Sequence, residues 1–354
     1  MRPTCPIRPV QSALKGCQKP SSVPSRRANE ISAEMLGFCY RFWATQNGVR
    51  TDILFWYLSL RLVVPPFSLF ILLTTMNTGE NFLTQWHETG RVEEKGLVYF
   101  VKKYEPGSYE IRNEISWLLS MMIMSCKQFG VPEIKEASVE GGYVKMGFIE
   151  QQEGGFTPER VVDYLVSAAA ELHSLIKAEH PKLRVPVSKS EYKTFLGEYT
   201  KKRIDRFVGT EFELPQDMVR WILGQIEKLK TDYFGITHRD MRTRHLMFPT
   251  DSQKPILVDW EFSNVSDPAQ DVAKIIYDAT THGLERTEVT KRVIDAYAHM
   301  RGVSRDEFEE HVRVFLPIIP LERSMSLMNR KPDGYAAEIL KDLYFLRAVY
   351  DENK

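Results

Sequence analysis

The sequence predicts an α+β chain of two lobes, a small antiparallel β lobe carrying one helix and a larger helical lobe, with a cleft between them. Three observations predict it. Residues 82–104 read as strands around a turn at Glu93 to Gly96. Beyond Gly155 the apolar residues recur at helical spacing. Between predicted helices lies "THRDMRTRHLMF", a cluster of titratable groups on the lip of an apolar strand.

The elements follow in order. Residues 1–35 hold Pro, Ser, Cys and six basic residues against only Glu30 and Glu34, with no apolar period, and read as a disordered basic tail. Residues 36–75 form a hydrophobic segment. Within it Asp52 to Thr75 is nearly long enough to span a bilayer, but Arg61 and Pro65-Pro66 make it a poor span. A helix from Ile53 to Val64 and a strand from Phe67 to Thr75 suit it better, while membrane association through 53–75 and a chain start at Met76 stay open.

From Met76 the signals become regular, and 76–153 reads as one lobe. A small-residue loop at Asn77 to Asn81 precedes a strand near Phe82 to Val92, and a second strand covers Leu97 to Tyr104. Ile111, Ile115, Leu118, Leu119 and Met122 then mark a helix, with Ser108 placed to cap it. Two short strands around "ASVEGGYVKMGF" complete the lobe. Residues 154–354 read as mainly helical: Val162, Leu165, Ala169, Leu172 and Leu175 share a face, and Ser188-x-x-Glu191 and Ser304-x-x-Glu307 resemble capping boxes.

Composition narrows the function classes. Lys plus Arg and Asp plus Glu are both 47, which leaves no net charge to favour a nucleic-acid partner. The four cysteines, at 5, 17, 39 and 126, form no CxxC pair, so a reducing compartment such as the cytoplasm fits better than a disulfide framework or a zinc site. Asp240 and Asp259, by contrast, sit at the ends of a buried hairpin formed by Leu246 to Phe248 and Ile256 to Val258. Carboxylates placed there must be solvated, paired or bound to metal, because burying one alone is costly.

"HRDMRTRH", then "LVDWEFS", then "DPAQD", in that order, resembles the catalytic core of the protein-kinase-like phosphotransferases, with the aminoglycoside phosphotransferase and choline kinase branch nearest, over roughly residues 76 to 320. The resemblance implies a two-lobed kinase-like fold. It also implies an ATP- and Mg-dependent transfer to a hydroxyl of a small molecule or a sugar or glycolipid acceptor. Its site would comprise Asp240 as catalytic base, His238 and Arg239 beside it, and Asp259 as magnesium ligand. Lys102 would meet the phosphates and pair with Glu114, with Glu110 as the fallback. The "NTGEN" loop, through Gly79 and Asn81, would cover the phosphates, and Met146 would line the nucleotide site. His173 and Asp271 would support the catalytic loop.

One position departs from that pattern. His245 stands where the family usually carries Asn, as in the lipopolysaccharide-kinase branch, which offers nitrogen instead of oxygen to a second metal. Only eleven residues separate Asp259 from Asp271, with no Ala-Pro-Glu motif, so a phospho-switched protein kinase is disfavoured. A degenerate binding module and an atypical protein kinase are the competing readings. The acceptor pocket would draw on Lys201, Lys202, Arg203 and the segment Leu321 to Arg330.

Overall fold

Alternating residues and a two-residue turn build the first part of the fold. In a computed structural model, the described residues are 78–83, 88–124, 126–152, 154, 156–175, 189–229 and 234–354, with backbone only for 78–83, 189 and 190. The chain divides into two units, Met1–Thr75 and Met76–Lys354, and every described element lies in the second. The predicted basic tail and the hydrophobic segment up to Thr75 fall outside the described residues. Among the described residues no helix is long and apolar enough to cross a membrane.

Strands β1 (Thr78–Leu83), β2 (Glu88–Glu94) and β3 (Leu97–Lys103) run antiparallel, joined to β5 (Tyr143–Gly147) and β4 (Ile134–Ser138) in the order β1-β2-β3-β5-β4. The turn at Lys95 and Gly96 takes left-handed backbone at both residues, which Gly96 adopts without strain. Helix α1 (Tyr109–Met124) follows β3 and buries Ile111, Leu118 and Met121.

Three expectations need correction here. Gly79 and Asn81 are not in a loop: both lie in β1, where Asn81 pairs with Gly90 and the register slips between Thr78 and Asn81. Their small and polar side chains suggested a turn, but pairing with β2 outweighs that local preference. The single predicted strand 82–92 is therefore two strands, with the connection at 84–87 outside the described residues. Ser108 does not cap α1, since its buried Oγ has no hydrogen-bond partner.

The helical lobe begins with α2 (Pro158–Ser174), whose start is fixed by Thr157 accepting the Arg160 amide N–H and by Pro158 in its first turn. It continues through α3 (Lys189–Ile204), α4 (Gln216–Glu227), α5 (Ala269–Thr281), α6 (Arg286–Arg301), α7 (Arg305–Phe315), α8 (Ile318–Arg330) and α9 (Tyr335–Glu352). Ser304 caps α7 by accepting the Glu307 amide N–H, as its spacing predicts, while Ser188 lies outside the described residues. Between α4 and α5 sit the short strands β6 (Gly235–Thr237), β7 (Leu246–Met247), β8 (Ile256–Leu257) and β9 (Asn264–Ser266), paired β6 with β9 and β7 with β8.

One apolar core joins α1, α2, α5 and these strands, with Trp260, Phe129, Leu165 and Ile236 fully buried. Trp260 stacks on Phe129 at 6.1 Å between ring centres and donates its indole N–H to the Leu257 carbonyl at 2.8 Å. This anchors the segment carrying Asp259 against the sheet side of the core. Gly235 lets β6 approach α2 closely, because a Cβ there would lie 3.1 Å from the His173 carbonyl oxygen.

Candidate active site

The site is built on loops that leave short buried strands. β6 ends at Thr237, and the next three residues are His238, Arg239 and Asp240. His238 is wholly buried. Its Nε2 lies 3.0 Å from the Val258 carbonyl and its Nδ1 is 3.3 Å from the Asp240 amide nitrogen, which defines a neutral ring donating through Nε2. Burial, the largest influence, holds its pKa below the ordinary value, and Asp271 opposes that effect.

Asp271 on α5 fixes the loop from below. Its two carboxylate oxygens accept the amide N–H groups of His238 and Arg239, each at 2.7 Å, and His173 Nε2 lies 3.0 Å from it. His173 is held in turn by the Tyr297 hydroxyl at 2.7 Å. This buried network lets Arg239 keep a left-handed backbone (φ 64°), a conformation costing a non-glycine residue roughly 1–2 kcal/mol. Arg239 reaches a phenol rather than a carboxylate, with the Tyr199 hydroxyl 3.4 Å away.

Asp259 follows β8 and also has left-handed backbone (φ 73°). Its Oδ1 accepts from Lys102 Nζ at 2.7 Å, and the same ammonium lies 2.6 Å from Glu114 Oε2 and 3.6 Å from Glu261 Oε2. Lys102 and Glu114 are a buried pair, with side chains 4% and 1% exposed. Burial would lower the Lys102 pKa, but Asp259, Glu114 and Tyr104 together raise it well above its ordinary value. Burial pushes Glu114 upward, with Lys102 opposing. The Tyr104 hydroxyl donates to Glu114 as well. α1 is tied to this segment through Asn113, which donates to the Glu261 and Ser263 carbonyls at 2.7 and 2.8 Å, and through Trp117, which donates to Ser263 at 2.7 Å. Glu110, the fallback partner, makes no ion pair with Lys102.

Asp240 is held by cations. Arg242 Nε lies 2.6 Å from Oδ1 and Lys274 Nζ 3.4 Å from it, while Arg244 is 3.8 Å from Oδ2. The Arg242 approach is an ion pair without an aligned hydrogen bond, since its buried Nε has no hydrogen-bond partner. Burial alone would raise the Asp240 pKa, but Lys274 and Arg242 outweigh it and hold the carboxyl below the usual carboxylate range. Asp259 is depressed likewise: burial is outweighed chiefly by Lys102.

His245 stands between the two aspartates. Its Nδ1 is 2.7 Å from the Asp240 carbonyl, to which it donates, and its Nε2 is 3.2 Å from Asp259 Oδ2. Arg244 donates to that Nε2 at 2.9 Å, which leaves it the acceptor nitrogen. That lone pair is satisfied by Arg244, so His245 can serve a metal only if Arg244 gives way; Asp240, His245 and Asp259 offer ligand atoms within 4.8 Å of one another. Glu114, Asp259 and Glu261 form a second such group. The donor set is rich in carboxylate oxygen and fits a hard divalent cation, with the His245 nitrogen as its less suited member.

Lys102, Glu114, Asp240, Arg242, His245, Asp259, Glu261 and Lys274 open on one cavity of about 870 Å³, whereas the buried His238 is not among its lining residues. Phe100, Pro132, Met146, Ile149, Met247 and Val258 give the cavity an apolar wall. Arg203 and residues of the 321–330 segment line another wall, but Lys201 and Lys202 are exposed outside it and Lys201 instead pairs with Asp205 at 2.6 Å. Lys274, Arg242 and Glu261 were not singled out from the sequence. Lys274 carried a signal, one helical turn after Asp271 on the same face of "DPAQDVAK".

Two lobes, a lysine paired to a helix glutamate, and two aspartates across one cavity define a kinase-like phosphotransferase fold. The sequence matches the family model described as the phosphotransferase enzyme family over residues 86–310, and the chain belongs to that family. No curated protein sequence matches it significantly. Among solved structures it is similar to macrolide 2'-phosphotransferase from Brachybacterium faecium, at 16% identity and TM-score 0.54, covering 75% of this chain and 91% of that one. It is also similar to aminoglycoside 2'-phosphotransferase-IIIa in its GDP complex, at 15% identity and TM-score 0.56, covering 79% and 95%. Choline kinase LicA from Streptococcus pneumoniae matches at 14% identity and TM-score 0.54, covering 84% and 98%.

Proposed function

We propose that the protein transfers the γ-phosphoryl group of ATP to a hydroxyl of a small-molecule, sugar or glycolipid acceptor, with magnesium and with Asp240 as the base that orients the acceptor. The observation that carries this reading is Lys102 Nζ lying 2.6 Å from Glu114 and 2.7 Å from Asp259 on the same cavity as Asp240. Phosphoryl transfer asks a protein mainly to position phosphates and stabilise charge, and each group here has that kind of chemistry. Two structural neighbours crystallised with nucleotides, GDP in one and AMP in the other, support a nucleotide in the cavity.

In this reading residues 76–153 bind the nucleotide and 154–354 carry the catalytic and acceptor groups. The apolar wall of Phe100, Met146 and Met247 suits a base ring, and Lys102 meets the phosphates while Glu114 holds it in place. Asp259, aided by Glu261 or His245, would hold magnesium, which would neutralise phosphate charge. Asp240 stays ionised and so accepts and aligns the acceptor hydroxyl more than it strips the proton early, which suits a loose transition state. His238 and Arg239 position that loop and need not touch substrate. The test is labelled-ATP transfer across aminoglycosides, choline, Kdo-type sugars and peptides. Turnover that Asp240→Asn abolishes supports the reading, and nucleotide binding with no transfer to any acceptor would make the protein a binding module.

A further inference from the structure

We infer that the acceptor carries an anionic group, a phosphate or a carboxylate, held by arginines on α3 and α8; this deepens the phosphotransferase reading above and rests on it. Helices α3 and α8 wall one part of the cavity and are joined by the Tyr199 hydroxyl donating to Glu322 at 2.5 Å. Arg203 and Arg239 line this part with Arg323 and Arg330, and Arg242, Arg244 and Lys274 connect it to Asp240. Against these seven cations the same wall offers two carboxylates, Asp240 and Glu322.

The internal pairing leaves positive charge over. Asp240 serves Arg242 and Lys274. Arg323 is answered by Glu338 and Asp342, each at 2.5 Å. Glu322 takes the Tyr199 hydroxyl and stands 3.9 Å from Lys274. Arg203 and Arg330 have no carboxylate at ion-pair distance among the described residues, and Arg239 has none either, although Tyr199 and the more distant Glu322 favour its charged form. Their positions are nonetheless set. The Arg203 guanidinium stacks over the Tyr199 ring at 3.0 Å from its centre and donates to the Tyr199 carbonyl at 3.0 Å. Arg330 donates to the Ser326 hydroxyl at 2.8 Å. The Nε atoms of Arg203 and Arg239 are buried with no hydrogen-bond partner, a state that normally costs free energy.

The field at Arg330 reports the same excess. Its pKa is drawn below the ordinary value by burial and then by Arg244, Arg242 and Arg323. Gathered like charges are unfavourable unless something of opposite sign completes them. An acceptor with a planar or tetrahedral anion would do so, and guanidinium groups bind such anions bidentately. A polycationic or quaternary-ammonium acceptor would add to the repulsion. The triphosphate of ATP is the rival claimant for these arginines, but Lys102 with a metal at Asp259 already serves that role in the proposed mechanism.

The test is labelled-ATP transfer to a matched set: a hexose, its 6-phosphate, its uronate and its amino form. We expect kcat/KM for the phosphate or the uronate to exceed that of the neutral hexose at least about tenfold, with the better of the two naming the anion. Arg203→Gln and Arg330→Gln should each raise KM for the charged acceptor by about tenfold, with the loss in KM and not in kcat. Preference for the amino or neutral form overturns the inference, and so does a rise in KM for ATP in place of the acceptor. If none of the four is phosphorylated, the wider acceptor panel decides the kinase reading, and inorganic phosphate decides this inference by titration calorimetry. Wild-type binding weakened about tenfold in the Arg203→Gln/Arg330→Gln double variant supports the anion site; equal or absent binding overturns it.

Discussion

Lys274 Nζ lies 3.4 Å from Asp240 Oδ1, and both side chains are less than a tenth exposed. The lysine comes from α5, the helix whose Asp271 also holds the backbone of His238 and Arg239. One helix thus sets both the backbone and the charge of the catalytic loop. Burial and Arg242 hold the Lys274 pKa below its ordinary value, while Asp240 opposes them. Replacing this lysine removes a fixed positive charge next to the proposed base without touching the nucleotide wall. Lys274→Met should lower kcat by about 10²-fold, the scale for one preorganised electrostatic group, while KM for ATP changes little. Lys274→Arg should recover part of the loss. Steady-state kinetics on the three proteins checks this, and equal kcat in Lys274→Met and wild type would count against it.

The two aspartates should separate by nucleotide affinity. Asp259 pairs with Lys102 at 2.7 Å, so its oxygen already belongs to the phosphate-binding group, whereas Asp240 faces cations on the acceptor side. Asp259→Ala should abolish magnesium-dependent ATP binding, and Asp240→Ala should retain most of it while losing turnover by about 10³-fold or more. Calorimetric titration of ATP with and without magnesium tests the split. Equal loss of affinity in both would overturn the two assignments.

Much of this was legible because the motifs are local. Asp240, Asp259, Lys102 and Glu114 each stand at a fixed place on a strand or helix whose period can be read from neighbouring residues. Their meeting in one cavity is long-range: 157 positions separate Lys102 from Asp259. Only the order of the motifs, through the resemblance, carried that information. Gly79 and Asn81 misled because small residues signal turns only when cross-strand pairing does not claim them. Lys274 and Arg242 were passed over because a buried lysine near a carboxylate looks in sequence like any helix-face charge. The surplus of arginines around Arg203 and Arg330 was invisible, since it arises from α3 and α8 lying side by side.

Acid stability follows from the depressed carboxylates. Asp240 and Asp259 have folded pKa values below their unfolded value of about 3.9. Their ionised forms therefore contribute stability that is present above about pH 4 and is lost as pH falls through that value toward the folded pKa. Near neutral pH, Asp240→Asn should lower Tm by a few degrees, because Arg242 and Lys274 then lack a counter-charge. As pH drops below about 4, the wild type should lose stability faster and the gap should narrow. Melting curves from pH 3 to 7 measure it; a gap that widens on acidification would contradict the pairing.

His245 gives the sharpest test of how the site handles metal. Its Nδ1 is committed to the Asp240 carbonyl at 2.7 Å, and its Nε2 faces Asp259 Oδ2 at 3.2 Å. Alanine removes both the strut between the aspartates and the donor beside Asp259. Asparagine keeps a short polar group and offers oxygen, which magnesium prefers to imidazole nitrogen. Manganese accepts nitrogen more readily than magnesium does. His245→Asn should therefore keep turnover within about tenfold of wild type, while His245→Ala should lose about 10²-fold. Wild type should gain more than His245→Asn when manganese replaces magnesium. Kinetics of all three proteins with each metal decides it: if both variants turn over like wild type with either ion, His245 only packs the loop, and the working cluster reduces to Asp240, Asp259 and Lys102.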